Sequence, residues 1–139
     1  MSENGSAEKI KAEWLTRLRE LMDKVRQWAE DSGWATREIE FTLKDRRIGD
    51  HRVPALLMQE SAVKLMLEPV GALTPGASGM VDLYQMPAYD DVASFYYSDG
   101  QWKLHWPGHS APNEDGVEVL PVTKDAFSRV LTEMLAHAA

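Results

Sequence analysis

The residues whose chemistry first suggests a reaction are a serine and a histidine in an aromatic segment. Residues 92–106 read VASFYYSDGQWKLHW, two alternating strands around Asp99-Gly100, the dipeptide that most strongly indicates a two-residue hairpin turn. In that register Ser94 lies opposite His105. Nucleophilic catalysis would also need an orienting acid and an oxyanion hole. We therefore interpret Ser94 and His105 as a polar cross-strand pair and predict no catalytic residue.

A second candidate is the polar cluster Tyr89, Asp90 and Asp91, just before the same hairpin. Adjacent carboxylates can bind a cation or share acid and base roles, because like charges push their pKa values apart. The sequence has no calcium-loop motif, and no histidine falls at metal-ligand spacing. We expect these carboxylates to begin a turn or accept backbone N–H groups. They form an alternative polar site, with no metal or cofactor predicted.

The hairpin register also divides its aromatic residues between two faces. Tyr97 opposite Trp102 and Phe95 opposite Leu104 predict an apolar face that belongs to the core. The other face carries Tyr96 and His105, together with Ser94 and Lys103. Most of the aromatic content is therefore expected to be scaffold, and the outer face is where a contact would form.

Strand alternation elsewhere places further large side chains on this second face. Apolar alternation in residues 61–70 directs Met66 away from the core, and the same reasoning applies to Tyr84 in the next strand. Residues 53–59 are apolar on both faces and add Met58. Mixed methionine and tyrosine surfaces are typical of adaptable protein contacts. The predicted contact residues are Met58, Met66, Tyr84, Tyr96 and His105, with coverage of this face by a helix as the open alternative.

The pattern of the whole chain predicts an α+β fold. Apolar residues at three- and four-residue steps indicate a long helix from about Glu8 to Ser32-Gly33, and a second helix follows Pro121. Between them we expect an antiparallel sheet of about five or six strands, largely joined as a meander of hairpins. Residues 1–7 are expected to be a disordered N-terminus, and residues 8–139 to form one domain.

Composition limits the partners. The 139 residues carry 15 basic and 22 acidic side chains, a formal net charge of −7. Nucleic acids and anionic membrane surfaces attract clustered basic residues, so we expect neither as a partner. The chain has no cysteine, its N-terminus lacks the features of a secretory signal, and no window is apolar enough to span a membrane. These features predict a cytoplasmic protein.

Two functional hypotheses follow. The preferred one is a small binding or accessory domain that engages another protein or forms a homodimer, without catalysis. The alternative is a small-ligand-binding protein or a hydrolase-type enzyme with a polar site near Asp90, Asp91 and His105. No family motif accompanies either hypothesis.

Overall fold

The computed structural model describes residues 3–74, 76–88, 90–106 and 118–138. Two helices, α1 (Glu3–Asp31) and α2 (Lys124–Ala138), flank a run of strands. The strands are β1 (Ala35–Leu43), β2 (His51–Glu60), β3 (Val63–Gly71), β4 (Met80–Gln85), β5 (Asp90–Ser98), β6 (Gln101–Trp106) and β7 (Glu118–Pro121). The predicted α+β fold is confirmed. Helix α1 begins inside the segment 1–7 that the sequence placed outside the domain.

The strands form one antiparallel sheet in the order β1-β2-β3-β4-β5-β6-β7, which is a meander. The sheet has seven strands, one or two more than expected. The additional strand is β7, which is only four residues long and pairs with β6 through Leu104 opposite Leu120. A strand this short has too few residues to show alternation, so its sequence alone indicates only an extended segment.

The β5–β6 hairpin has the predicted register. Ser94 lies opposite His105 and Tyr97 opposite Trp102, with a turn at Asp99 and Gly100. Both turn residues have positive φ, 54° and 80°, as a type I′ turn requires. The Asp-Gly dipeptide therefore determines which side chains of the two strands share a face.

Both helices pack on the same face of the sheet. The rings of Trp28 in α1 and Phe127 in α2 are 6.0 Å apart, and Lys124 pairs with Asp31 at 3.0 Å. The register brings a set of buried side chains to the face beneath them: Leu56, Met58, Leu65, Leu67, Val81, Leu83, Ala93, Phe95, Leu104 and Trp106. The helices and this face share a single core cluster. Apart from the first residues of β2, the opposite face of the sheet receives neither helix.

The end of the β1–β2 hairpin nearest its turn extends beyond the rest of the sheet and contacts α1. Strand β3 pairs with β2 only from Leu56 onward, so the first residues of β2 extend beyond the rest of the sheet. There Val53 and His51 are buried, and the fully buried Trp14 of α1 donates a hydrogen bond from Nε1 to His51 Nε2 at 3.1 Å. The His51 Nδ1 atom lies 2.8 Å from the Gly49 carbonyl oxygen, to which it donates. The first residues of β2 thus pack against α1 at Trp14.

Local signals position α2. Thr123 Oγ1 accepts a hydrogen bond from the Ala126 backbone N–H at 3.2 Å, which makes Thr123 the N-cap that its position before the helix predicts. Asp125 lies in the first turn, where a negative charge is favourable near the helix N-terminus.

In the described part of the chain, neither helix has the length and apolar character to cross a membrane.

Candidate functional site

The face of the sheet that no helix covers is the candidate site, and we call it the open face. Register and alternation assign the following side chains to it: Leu57, Met66, Glu68, Val70, Met80, Asp82, Tyr84, Ser94, Tyr96, Lys103, His105 and Val119. The set combines aromatic, methionine and ionisable groups, unlike the apolar face beneath the helices.

A polar row crosses the centre of the open face. Glu68, Asp82, Ser94 and His105 lie opposite one another in β3, β4, β5 and β6, and Val119 of β7 completes the row. Cross-strand neighbours on one face are within side-chain reach. The meander therefore brings together four polar groups that are spread over the 38 positions from Glu68 to His105.

The hydrogen bonding of this row does not match that of an activated serine. Ser94 Oγ donates to Asp82 Oδ1 at 2.8 Å, so the serine proton is committed to the carboxylate. In a nucleophilic triad the histidine stands between the serine and the acid, accepting the serine proton. Here Ser94 stands between Asp82 and His105. The serine serves as a hydrogen-bond donor to a carboxylate that is only 5% exposed.

His105 and Tyr96 form an aromatic pair beside that row. Their ring centroids are 4.6 Å apart with the planes tilted by 56°. Partial burial, and then the charge of Lys103, hold the pKa of His105 below its ordinary value of 6.5. At neutral pH His105 is therefore an uncharged ring, and the pair presents two mutually tilted aromatic rings with polar edges.

Tyr84 provides a second polar anchor toward β3. Its hydroxyl donates to Glu68 Oε1 at 3.1 Å. Burial first, then the charge and hydrogen bond of Glu68 and the charge of Asp82, raise the pKa of Tyr84 to about 12. The hydroxyl therefore stays protonated as a donor throughout the physiological range and fixes the position of its ring.

Exposure varies across the open face. Met66 and Asp82 near its centre are only 9% and 5% exposed. In the described residues, the large apolar side chains that stand exposed are Val70 at 42% and Val119 at 54%, and both belong to this face. Polar groups held in place beside exposed apolar ones are the composition that protein contact surfaces use.

The structure distributes the sequence-predicted residues unevenly. Met66, Tyr84, Tyr96 and His105 all lie on the open face. Met58 does not, because it pairs with Leu65 on the helix-covered face and is 1% exposed. Strand β2 is apolar on both sides, so its sequence could not determine which of its two sets of alternate residues faces the helices. Met58 is therefore a core residue in this fold.

The alternative polar site falls partly beyond the structural description. Tyr89 lies outside the described residues. Asp90 and Asp91 begin β5, with Asp90 opposite Gln85. Asp90 precedes Ser94, the partner of His105, by four positions of extended strand, which separates their backbones by about 13 Å. The register therefore places Asp90 and His105 in different parts of the sheet.

A pocket at the β1 edge of the open face was not anticipated from the sequence. This partly open pocket has a volume of about 360 Å³. It is lined by the following residues of β1, β2 and β3 and the start of the β4–β5 connection: Ala35, Thr36, Arg37, Leu57, Met58, Gln59, Lys64 and Met86. Thr36 and Met58 reach it from the helix-covered side of the sheet. Its lining contains two basic residues, Arg37 and Lys64, and no acidic one. These residues come from four separate segments, so no local sequence pattern reveals the pocket.

Among the described residues, no group of three or more histidine, aspartate or glutamate side chains is arranged to hold a metal ion. Comparison with protein-family models, curated proteins and solved structures gave no significant match.

Proposed function

We propose that this chain is a non-catalytic binding domain that contacts another protein, or a second copy of itself, through the open face of its sheet. The observation that carries the proposal is that both helices pack on one face. The other face is left with the Tyr96–His105 aromatic pair, hydrogen-bonded polar groups beside it and exposed valines. A sheet face of this kind normally has a layer packed on it. A partner protein supplies that layer.

The polar groups of the open face support binding better than a reaction. Ser94 is tied to Asp82, and Tyr84 is tied to Glu68 with its pKa raised to about 12, well away from neutral pH. A general acid or base works best with a pKa near the operating pH. Fixed, satisfied polar groups instead give an interface its orientation and specificity. A cytoplasmic location is part of the proposal, supported by the absence of cysteine.

Position-specific photo-crosslinking tests this proposal. A photoreactive amino acid replaces Tyr96 or Val119 on the open face, with Asp23 on the outer surface of α1 as the matched control site. We expect a discrete crosslinked product from the two sheet positions in cells that express the protein, and none from position 23. Sedimentation velocity on the purified chain then separates a homodimer from a complex with a different protein.

Either of two results would overturn the proposed function. One is a lack of discrete products at positions 96 and 119, with the purified chain monomeric. The other is equal crosslinking from position 23, because the helix surface would then be as much in contact as the sheet.

A further inference from the structure

We infer that the β1 edge of the open face binds an extended acidic segment of the partner protein, which adds to the sheet as an eighth strand. This inference rests on the proposed function and names the partner chemistry. It is carried by three features that meet at one place. Within the described residues these are a long unpaired strand edge, an apolar pocket beside it, and two basic side chains with no acidic partner.

The strand edge is the first feature. In the described part of the chain β1 pairs only with β2, so one side of a nine-residue strand has free backbone donors and acceptors. The opposite edge, β7, has four residues and ends in Pro121, which has no N–H to donate. Exposed long edges are the template for strand addition, in which backbone hydrogen bonds supply much of the affinity.

The pocket is the second feature. Ala35 and Arg37 of β1 point to the open face, and beside them lie Leu57 and Met86 over a volume of about 360 Å³. An incoming strand beside β1 would alternate its side chains with the same period of two. One of its apolar side chains can therefore enter the pocket near Ala35, and the side chain two positions along lies beside Arg37.

Charge is the third feature. Two basic residues near the β1–β2 hairpin have carboxylate partners: Arg19 pairs with Glu38, and Arg52 pairs with Glu40. Arg37 and Lys64 have no carboxylate partner among the described residues, although the chain carries a net charge of −7. Two unpaired cations in the lining of an apolar pocket favour a carboxylate in the ligand. The expected segment therefore carries an apolar and an acidic side chain two positions apart, on the same side of the strand.

The test uses a short synthetic peptide with threonine at every second position and leucine, glutamate and valine at the positions between. A control peptide has lysine in place of the glutamate. Each is titrated into the isotope-labelled full chain and followed by NMR. We expect shifts and slowed amide exchange in β1, and binding of the glutamate peptide about tenfold tighter than the lysine peptide.

A charge-reversed pair of variants isolates the site. R37E/K64E is expected to weaken binding of the glutamate peptide about tenfold and to strengthen binding of the lysine peptide, because the pocket charge changes sign. The control R46E/R47E makes the same change in net charge at the exposed turn between β1 and β2, outside the pocket. It should change the affinity for either peptide less than about threefold.

Three results would overturn the inference: no binding of the glutamate peptide, equal affinity for both peptides, or equal losses in the two double variants. If they occur while crosslinking from positions 96 and 119 persists, the proposed function stands and only the β1 site fails. If peptide binding at β1 and crosslinking from positions 96 and 119 are both absent, both proposals are refuted.

Discussion

Replacing Gly79 with alanine tests the packing at the N-terminal half of α1. A Cβ atom at this position would lie 2.9 Å and 3.2 Å from two ring carbons of Trp14, and 3.4 Å from the Trp102 ring. Carbon atoms pack at about 3.5–4.0 Å, so the added methyl group overlaps a large side chain. The backbone at Gly79 has no positive φ, so any cost comes from space and not from backbone strain.

Neither side of this contact can easily retreat. Trp14 is fully buried, and its Nε1 is held by His51 at 3.1 Å. The Gly79 carbonyl accepts a hydrogen bond from the Tyr97 N–H at 2.9 Å. Overpacking a core of this kind costs about 1–3 kcal/mol, whereas the loss of glycine flexibility in the unfolded chain gains only about 0.4–1 kcal/mol. We expect Gly79→Ala to reduce the free energy of unfolding by about 1–2 kcal/mol.

The assay is urea and thermal unfolding followed by circular dichroism, with Gly71→Ala as the control. A Cβ at Gly71 meets only the Thr74 methyl group at 4.0 Å, so we expect that variant to match or slightly exceed wild-type stability. Gly79→Ala should lower the midpoint of thermal unfolding by roughly 3–8 °C. Equal stability of the two variants would refute the close packing of Trp14 against this loop.

Three further predictions concern the open face. Ser94→Ala removes the hydrogen bond to the Asp82 carboxylate and should lower the free energy of unfolding by about 1–3 kcal/mol in urea titrations; no change would contradict that bond's role. His105 has a folded-state pKa below 6.5, so the unfolded chain takes up its proton first as pH falls. The stability difference between wild type and His105→Gln should therefore shrink or reverse between about pH 7.5 and 5.5, and Lys103→Gln should raise the pKa of His105 in an NMR titration. The Tyr84 hydroxyl, with a pKa of about 12, should remain protonated at about pH 11, which ¹³C NMR of the tyrosine ring measures. A titration of Tyr84 near the ordinary pH of 10 would contradict its burial.

The parts of the fold that local patterns control could be predicted from the sequence. Asp99-Gly100 determined the β5–β6 register, and through it the placement of Tyr96 and His105 on one face. Alternation likewise placed Met66 and Tyr84 on the open face. These predictions hold because a two-residue turn needs residues that adopt positive φ, which fixes its place in the sequence. Once the turn is placed, the pairing and the face of every residue in both strands follow.

The parts that depend on contacts between distant segments could not be predicted. Met58 lies in a strand with two apolar faces, and only its pairing with Leu65 shows which one the helices cover. The choice of a single face by both helices is a packing outcome that neither helix encodes alone. The pocket with Arg37 and Lys64 likewise exists only once the β1–β2 hairpin lies beside β3.

Hydroxyl-radical footprinting, on the purified protein and in cells that express it, measures most directly whether the open face is the contact surface. We expect Tyr96 and Val119 to lose reactivity in cells, because a partner covers them. Leu15, a partly buried residue of α1, should react equally in both samples. Unchanged reactivity at Tyr96 and Val119, or protection of Leu15 in their place, would contradict the proposal that the open face is the contact surface.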